Sequence, residues 1–323
     1  MKKQEILNLV KDKLNDFGAI NLPIVVAVSG GVDSMVLLDA IRRVVFGKNI
    51  TVVHVNHNLR KSSGKDAKVV QEYCDKHGLD CKVVELSIPK PKNKKVTLEE
   101  KARELRYKAL RTEAKKVGAV YIVLAHHAND QVETALFNMV RGSSLRGMGG
   151  MKEWSGDLLR PLLSVWKSDL EKYAKSYKLK YAVDETNKNI DITRNFIRNK
   201  VIVDFEKINP KFLEQMLKTT GVIQSAEQAV RDMARLHVAA MAVASPAKLE
   251  FPISKITELT PFMRAEVMKY AAELLGVVEI EWSARLFEQI DKMIFGKAAN
   301  SNKLIGRRLL VAKAYDKISI SLK

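Results

Sequence analysis

The segment Ile24-Val25-Val26-Ala27-Val28-Ser29-Gly30-Gly31-Val32-Asp33-Ser34 constrains this chain more than any other. An apolar β-type run ends in Ser-Gly-Gly-Val-Asp-Ser, and an apolar segment from Met35 to Phe46 follows at once. That order reads as strand, tight glycine turn and helix. Such a turn sets backbone N–H groups and the positive end of a helix at one point, which suits a phosphate anion. The segment lacks the closing Lys-Ser/Thr of a Walker A loop and the third glycine of a dinucleotide fingerprint.

The flanking chain extends the same pattern. Ile6, Leu7, Val10 and Leu14 are spaced for one face of a leading helix over 1–16. Strands are expected at 24–29, 50–56, 81–87 and 119–125, with helices after the loop, over 65–77, over 97–117 and from about 129 to 141. Thr97 with Glu100 is a capping-box signature. Strand–helix alternation of this length predicts an α/β fold, a parallel sheet with helices on both faces. Polar groups cluster where two strands would emerge, at His54 to Arg60 and at His126-His127. In open α/β sheets ligands bind outside those carboxyl ends. Val132, Leu136, Met139 and Val140 would face the core, which leaves Asp130 and Glu133 off or at the edge of that stripe.

Further along, Pro89 to Lys95 reads as a basic loop, and Gly142 to Gly150 is glycine-rich in the manner of many flexible loops. A helix is expected over 167–177. Pro210 marks a domain boundary, giving a catalytic domain over 1–210 and a helical and small α+β domain over 211–323. In that second domain helices come first: one long helix or two with a break near Gly221 over 212–244, then helices from Thr260-Pro261 and over 283–295. Two β-type runs between Leu304 and Leu322 come last.

A chain of 323 residues can bury a sizeable core, and no apolar run approaches the roughly 18 residues needed to span a membrane. The N-terminus has no signal-peptide core, so the expected location is cytoplasmic. The formal net charge is +18. That excess favours a polyanionic partner, most simply nucleic acid, against the alternative of a lysine-rich solvated surface. Cys74 and Cys81 form no Cys-x-x-Cys pair, so a zinc ribbon or iron–sulfur site lacks ligands. Cys74 reads as a buried small hydrophobe. His126 and His127 are too closely spaced to be two metal ligands from one helix face.

The loop resembles the pyrophosphatase-type loop of adenylating enzymes, which cleave ATP between the α- and β-phosphates. The wider chain resembles the tRNA(Ile)-lysidine synthetase family. The resemblance rests on the loop, on His54-Val55-Asn56-His57-Asn58-Leu59-Arg60, and on Leu98-Glu99-Glu100-Lys101-Ala102-Arg103 through Arg106-Tyr107. It continues through His126-His127-Ala128-Asn129-Asp130-Gln131-Val132-Glu133-Thr134, Arg141-Gly142, Arg160-Pro161-Leu162, Asp184-Glu185-Thr186-Asn187 and Arg194-Asn195 with Ile197-Arg198. It covers residues 24 to about 200, and the remainder resembles the family's following domain more weakly.

The resemblance implies ligation of free L-lysine to C2 of the wobble cytidine in an isoleucine tRNA with a CAU anticodon, at the expense of ATP. Ser29, Gly30, Gly31, Val32, Asp33 and Ser34 would hold the phosphates, with Mg²⁺ near Asp33. His54, Asn56 and His126 would line the adenosine side. Asp130 and Glu133 would bind lysine and accept its proton, and Arg106 would pair with the lysine carboxylate or with phosphate. Arg141, Arg160, Arg194, Asn195 and Arg198 would touch tRNA. A homodimer is left open.

Asn129 stands where many members carry a second Asp, and Phe196 and Lys200 where arginines are frequent. Long members carry a further C-terminal domain that grips tRNA, so this chain is expected to read its tRNA through fewer contacts. Competing readings are a tRNA-thiolating enzyme, a glutamine-dependent amidating enzyme, and a non-catalytic nucleotide- or RNA-binding module. The first would need sulfur-carrying cysteines and the second an amidotransferase part. The acid set Asp33, Asp130 and Glu133 exceeds what binding alone requires.

Overall fold

The computed structural model describes residues 1–56, 63–89, 97–183, 193–277, 282–306 and 308–323. The expected roles of His57 to Arg60, of the lysines within 90–95, and of Asp184 to Asn187 lie outside the described residues. Contacts separate the chain into two compact units, Met1–Gly221 and Val222–Lys323.

The first unit opens with α1 (Lys3–Asp16), β1 (Ile24–Ala27), α2 (Val32–Val44), β2 (Ile50–Asn56), α3 (Ser63–His77) and β3 (Asp80–Glu85). It continues with α4 (Leu98–Lys116), β4 (Tyr121–Val123), α5 (Ala128–Val140), α6 (Leu145–Met148), β5 (Trp154–Ser155), β6 (Leu158–Leu159) and α7 (Lys167–Ser176). α8 (Thr193–Phe196), a π-helical turn over Ile197–Val201, and α9 (Ile202–Ile208) then run on without interruption. The sheet order is β3-β2-β1-β4-β6-β5, parallel except at the β5 edge. The parallel α/β expectation holds, and the β5–β6 hairpin adds an edge that sequence periodicity did not announce. Two residues per strand are too few to show alternation.

Successive residues of β1 point to opposite faces and find different cores. Ile24 and Val26 pack with α1, α2 and α7 through Ile6, Leu14, Leu37, Ile41 and Tyr173. Val25 joins Val53, Ile122, Leu110 and Leu124 on the α4 side. Burial on both faces explains why the strand reads as a continuous apolar run. The predicted face of α1 is buried throughout, as is Cys74. α5 departs from expectation. Val132 and Leu136 pack against Ile197, Ile202 and Phe212, whereas Met139 and Val140 are 48% and 80% exposed. The last turn of α5 extends past the elements that cover its first two.

In the second unit, α10 (Phe212–Met241), which starts in the first unit, is one helix with no break at Gly221. It leads into β7 (Val243–Ser245), β8 (Lys248–Pro252), α11 (Ile253–Thr257), α12 (Pro261–Leu274), α13 (Ala284–Phe295), β9 (Asn300–Ile305), β10 (Leu309–Ala314) and β11 (Lys317–Leu322). The antiparallel order is β7-β8-β11-β10-β9. β10 and β11 pair antiparallel across the turn at Tyr315-Asp316. The expectation of helices first and strands last is corrected. β7 and β8 precede α11, and Leu249 and Phe251 of β8 enter the same core as Ile318 and Ile320. Pro246 and Ala247 form the turn between β7 and β8.

Candidate active site

β1 lies between β2 and β4, so the chain leaves β1 toward one side of the sheet while β4 lies on the other. Such a reversal of strand order opens a crevice at the carboxyl ends. Two turns meet there. One follows β1 and carries Ser29 to Ser34; the other follows β4 and carries His126 and His127.

In the first turn Gly30 takes φ +91°, and a Cβ there would lie 3.1 Å from the Asp66 carbonyl oxygen, so both backbone shape and space call for glycine. Ser34, buried in the first turn of α2, ties the loop together. Its Oγ accepts from the N–H groups of Ser29 (3.2 Å) and Gly30 (3.1 Å) and donates to the Gly31 carbonyl (2.9 Å). The N–H groups that begin α2, from Val32 onward, have no carbonyl four residues back within the helix, and they form the positive end available to an anion.

Below the loop, the buried His54 donates from Nδ1 to the Val28 carbonyl at 2.9 Å, and Asn56 donates to Glu85 Oε1 at 3.1 Å. A cavity of about 220 Å³ opens beside the loop. Its wall includes Ser29, Asp33, Val53, Arg106, Tyr107 and His126. His54 and Asn56 are not among the lining residues. Arg106 reaches the cavity from an exposed position on α4. His126 accepts at Nδ1 from Arg160 Nε at 3.3 Å. Burial, reinforced by the charges of Arg160, Arg103 and Arg106, holds His126 well below the usual imidazole range, so the ring is neutral. Arg160 itself is 6% exposed and also donates to the Lys152 carbonyl.

In the second turn His127 caps α5. Its Nδ1 faces the Asp130 N–H, and Asp130 Oδ2 accepts from the His127 N–H at 3.1 Å. His127 Nε2 then lies 3.6 Å from Asp33 Oδ2 and 3.5 Å from Asp130 Oδ2. One ring thus links the loop after β1 to the carboxylates of α5. Burial would lower the His127 pKa, but the contact with Asp33 and the charges of Asp130 and Asp33 outweigh it and raise it. Burial would raise Asp33, yet His127, Lys167 and Arg198 hold it below the usual carboxylate value. The other Asp33 oxygen, Oδ1, is buried and has no hydrogen-bond partner among the described residues. An orphaned carboxylate oxygen beside a phosphate loop fits a Mg²⁺ ion, which needs only one or two carboxylates when phosphates and waters supply the rest.

One turn further along α5, Glu133 is buried and receives the Arg198 guanidinium, Nε at 2.5 Å and Nη2 at 2.8 Å. Arg198 Nη2 also lies 3.5 Å from Asp130 Oδ1. Burial, only partly offset by Arg198, raises the Glu133 pKa. Arg198 stands on the π-helical turn, an irregularity often found where a helix serves a site.

The structure therefore brings Ser29 to Ser34, Asp33, Asp130, Glu133 and Arg198 together, with Arg106 and His126 on the adjoining cavity. Arg141 and Arg194 lie elsewhere, with their guanidinium groups 5.2 and 5.4 Å from the Phe137 ring centre, and Asn195 is buried. Sequence reasoning passed over His127 and Lys167. The only signal for His127 was its place immediately before a helix. Lys167 begins α7 with its N–H on Asn129 Oδ1 at 3.0 Å, so the Asn129 that departs from the family pattern ties two helix starts together.

A family profile described as a PP-loop domain matches residues 2–205. The chain is 38% identical over 235 residues to a tRNA(Ile)-lysidine synthase of Thermosipho africanus, covering 72% of this chain and 53% of that protein. It is 36% identical to the protein of that name from Thermotoga maritima, covering 67% of this chain and 54% of that one. With the Enterococcus faecalis protein of that name the identity is 29%, over 93% of this chain and 66% of that one. The chain thus spans about half the length of the first two relatives. Among solved structures, the U34-tRNA thiolase NcsA from Methanococcus maripaludis superimposes with a TM-score of 0.57 at 14% identity, covering 68% of this chain and 79% of that one. At that identity the likeness speaks for the fold alone.

Proposed function

The chain belongs to the PP-loop family of ATP-binding domains, and from that premise we propose that it ligates L-lysine to C2 of the wobble cytidine of an isoleucine tRNA with a CAU anticodon. The observation that carries this reading is the carboxylate pair Asp130 and Glu133, one helical turn apart, beside the loop and already holding a cation, Arg198. A site that draws in a guanidinium is built to hold an alkylammonium.

Each residue then has a task. The α2 N-terminus and the loop seat the phosphates of ATP. Mg²⁺ held at Asp33 Oδ1 would offset their charge. The neutral His126, fixed by Arg160, presents its ring to the cavity for the nucleotide, and His54 fixes the Val28 carbonyl at the root of the loop. The C2 oxygen of cytidine attacks the α-phosphorus, pyrophosphate departs, and the oxygen becomes part of a good leaving group. Asp130 and Glu133 orient the lysine ε-amine. That amine has a reference pKa near 10.4 and must shed a proton before it attacks C2 and expels AMP. The raised Glu133 pKa suits it to take the proton. Arg106, exposed at the cavity, pairs with the lysine carboxylate or with phosphate. Arg141 and Arg194, both near the Phe137 ring, meet tRNA, and we place Arg160 with His126 instead of at the RNA. The second domain, 211–323, supplies further tRNA contacts, and such a substrate sets the reaction in the cytoplasm. Among the described residues no helix is long and apolar enough to cross a membrane.

The thiolation reading fares less well. The chain has two cysteines, and Cys74 is fully buried while Cys81 packs against the same core. The deciding experiment is mass spectrometry of the wobble nucleoside after incubation with ATP, tRNA and labelled lysine. Incorporation of the label supports the reading. AMP release at the same rate with lysine withheld, or a sulfur-bearing product, rejects it.

A further inference from the structure

We propose that the chain carries a second phosphate site at the far end of α2, where the guanidinium groups of Arg42 and Arg43 border a cavity of about 340 Å³. α2 starts at the loop and runs 13 residues, so this cavity lies ~20 Å from the proposed ATP site.

The two arginines are held in place before any ligand arrives. Asp39, 1% exposed, accepts from Arg42 Nη2 (3.1 Å), Arg43 Nε (2.8 Å), the Tyr73 hydroxyl (2.6 Å) and the Tyr173 hydroxyl (2.8 Å). Arg42 Nε donates to the Tyr73 oxygen, and the Arg43 guanidinium stacks 3.9 Å from the centre of the Tyr177 ring. Among the described residues no hydrogen bond is made by Arg42 Nη1 or by either Nη of Arg43. These are planar N–H edges with their orientation already fixed, the geometry that reads a phosphate.

The surrounding charge agrees. Lys76, Lys178 and Lys180 complete the cationic rim. The two carboxylates at the cavity are paired, Asp39 as described and Glu72 with Lys68 at 4.0 Å. A helix dipole explains basic residues near the ends of α2, α3 and α7. It does not explain a buried carboxylate and two phenols spent on locking two guanidinium groups. The proposed ligand is a phosphate group, from the backbone of the bound RNA or from a free phosphate ester. The RNA source rests on the function proposed above; the site itself does not.

The test uses the whole chain and the double variant Lys76→Gln/Lys180→Gln, which leaves the Asp39 network intact. Binding of the CAU-anticodon isoleucine tRNA is titrated from about 50 to about 200 mM salt. Alongside, labelled orthophosphate is dialysed without ATP against the wild type and the variant, whose loops are identical, so that the second site is read as the difference between them. For an RNA source the slope of log K against log salt falls by about one to two in the variant, with unchanged ATP affinity. Arg43→Lys, which keeps a cation on Asp39 but loses the planar edge, weakens tRNA binding in the same direction. For a free phosphate the tRNA slope is unchanged, but the wild type binds one orthophosphate equivalent more than the variant. An unchanged slope together with no such equivalent overturns the proposal. Loss of salt-dependent tRNA binding in the wild type would count against the lysidine reading alone, because the orthophosphate arm still reports on the site.

Discussion

Arg198 grips Glu133 through Nε at 2.5 Å and Nη2 at 2.8 Å, although 65 positions separate them in the chain. Under the proposed function the guanidinium occupies the place that the lysine ammonium requires, so the two cations compete. Arg198→Ala is expected to tighten lysine binding about tenfold, and Glu133→Gln to weaken it by about tenfold, in line with ~1.5 kcal/mol or more for a charged hydrogen bond. Calorimetric titration of lysine at saturating ATP checks both signs. Equal weakening by both variants would remove the competition.

The same pair makes a stability forecast. Arg198→Ala leaves Glu133, 4% exposed, as an unpaired buried carboxylate. Loss of a fully buried partner costs about 3–5 kcal/mol. Arg198 is 32% exposed, so screening reduces the expected loss to about 2–3 kcal/mol. Glu133→Gln in the Arg198→Ala background should recover most of it, as read by denaturant unfolding.

Asp33 combines a favourable and an unfavourable contact. Its Oδ1 is buried with no hydrogen-bond partner among the described residues, a desolvation penalty of about 1–3 kcal/mol that a bound cation would relieve. Its Oδ2 faces His127, and with Lys167 and Arg198 that contact holds the carboxylate below its usual value against burial, so the charged form is favoured in the fold. Asp33→Asn should therefore lower the rate of pyrophosphate release by about a thousandfold and also lower the ligand-free melting temperature at neutral pH. Retention of wild-type pyrophosphate release would take Asp33 out of the mechanism.

His126 and His127 adjoin in sequence but are shifted in opposite directions, so they shape the pH dependence of stability on opposite sides of 6.5. Burial and neighbouring arginines depress His126. Its contribution is present above the unfolded value and is lost as pH falls below it. His127 is raised by Asp33 and Asp130 against its burial, so its contribution is present below 6.5 and is lost as pH rises through the higher folded value. His126→Gln should flatten the melting-temperature profile on the acid side of 6.5 and His127→Gln on the alkaline side. Both effects falling on one side would show that the shifts are misassigned.

What the sequence discloses here is mostly local. Strand, glycine turn and helix are contiguous between Ile24 and Val44, and burial of β1 on both faces makes its apolar run continuous. Asp130 and Glu133 stood out as candidate acids because they begin a helix after a strand. The pairings that give them meaning were not. His127 meets Asp33 and Arg198 meets Glu133 only through the order of strands and the return of α8, and no periodicity within either segment specifies a partner so far away. Met139 and Val140 failed for a related reason. An apolar stripe says which face would be buried, not how far the covering elements extend.

The glycine-rich stretch after α5 gives a last test, because it is strapped and not slack. Gln131 Nε2 donates to the Gly149 and Met151 carbonyls at 3.0 and 2.9 Å, and its Oε1 accepts from the Met151 N–H at 2.7 Å. Gly150 takes φ +71°, and a Cβ there would lie 2.7 Å from that Oε1. Gly156 shares the positive φ, +61°, but a Cβ would meet nothing within 4 Å. Gly156→Ala should thus cost only the left-handed backbone penalty of about 1–2 kcal/mol. Gly150→Ala carries the same penalty and also displaces Gln131, at about 1 kcal/mol for each of the three hydrogen bonds lost, for a total of about 4–5 kcal/mol. Gln131 follows Asp130 directly, so Gly150→Ala should also raise the KM for lysine, whereas Gly156→Ala leaves it unchanged. Denaturant unfolding and lysine-dependent AMP release measure the two differences. Equal unfolding free energies for the pair would show that the strap adds nothing.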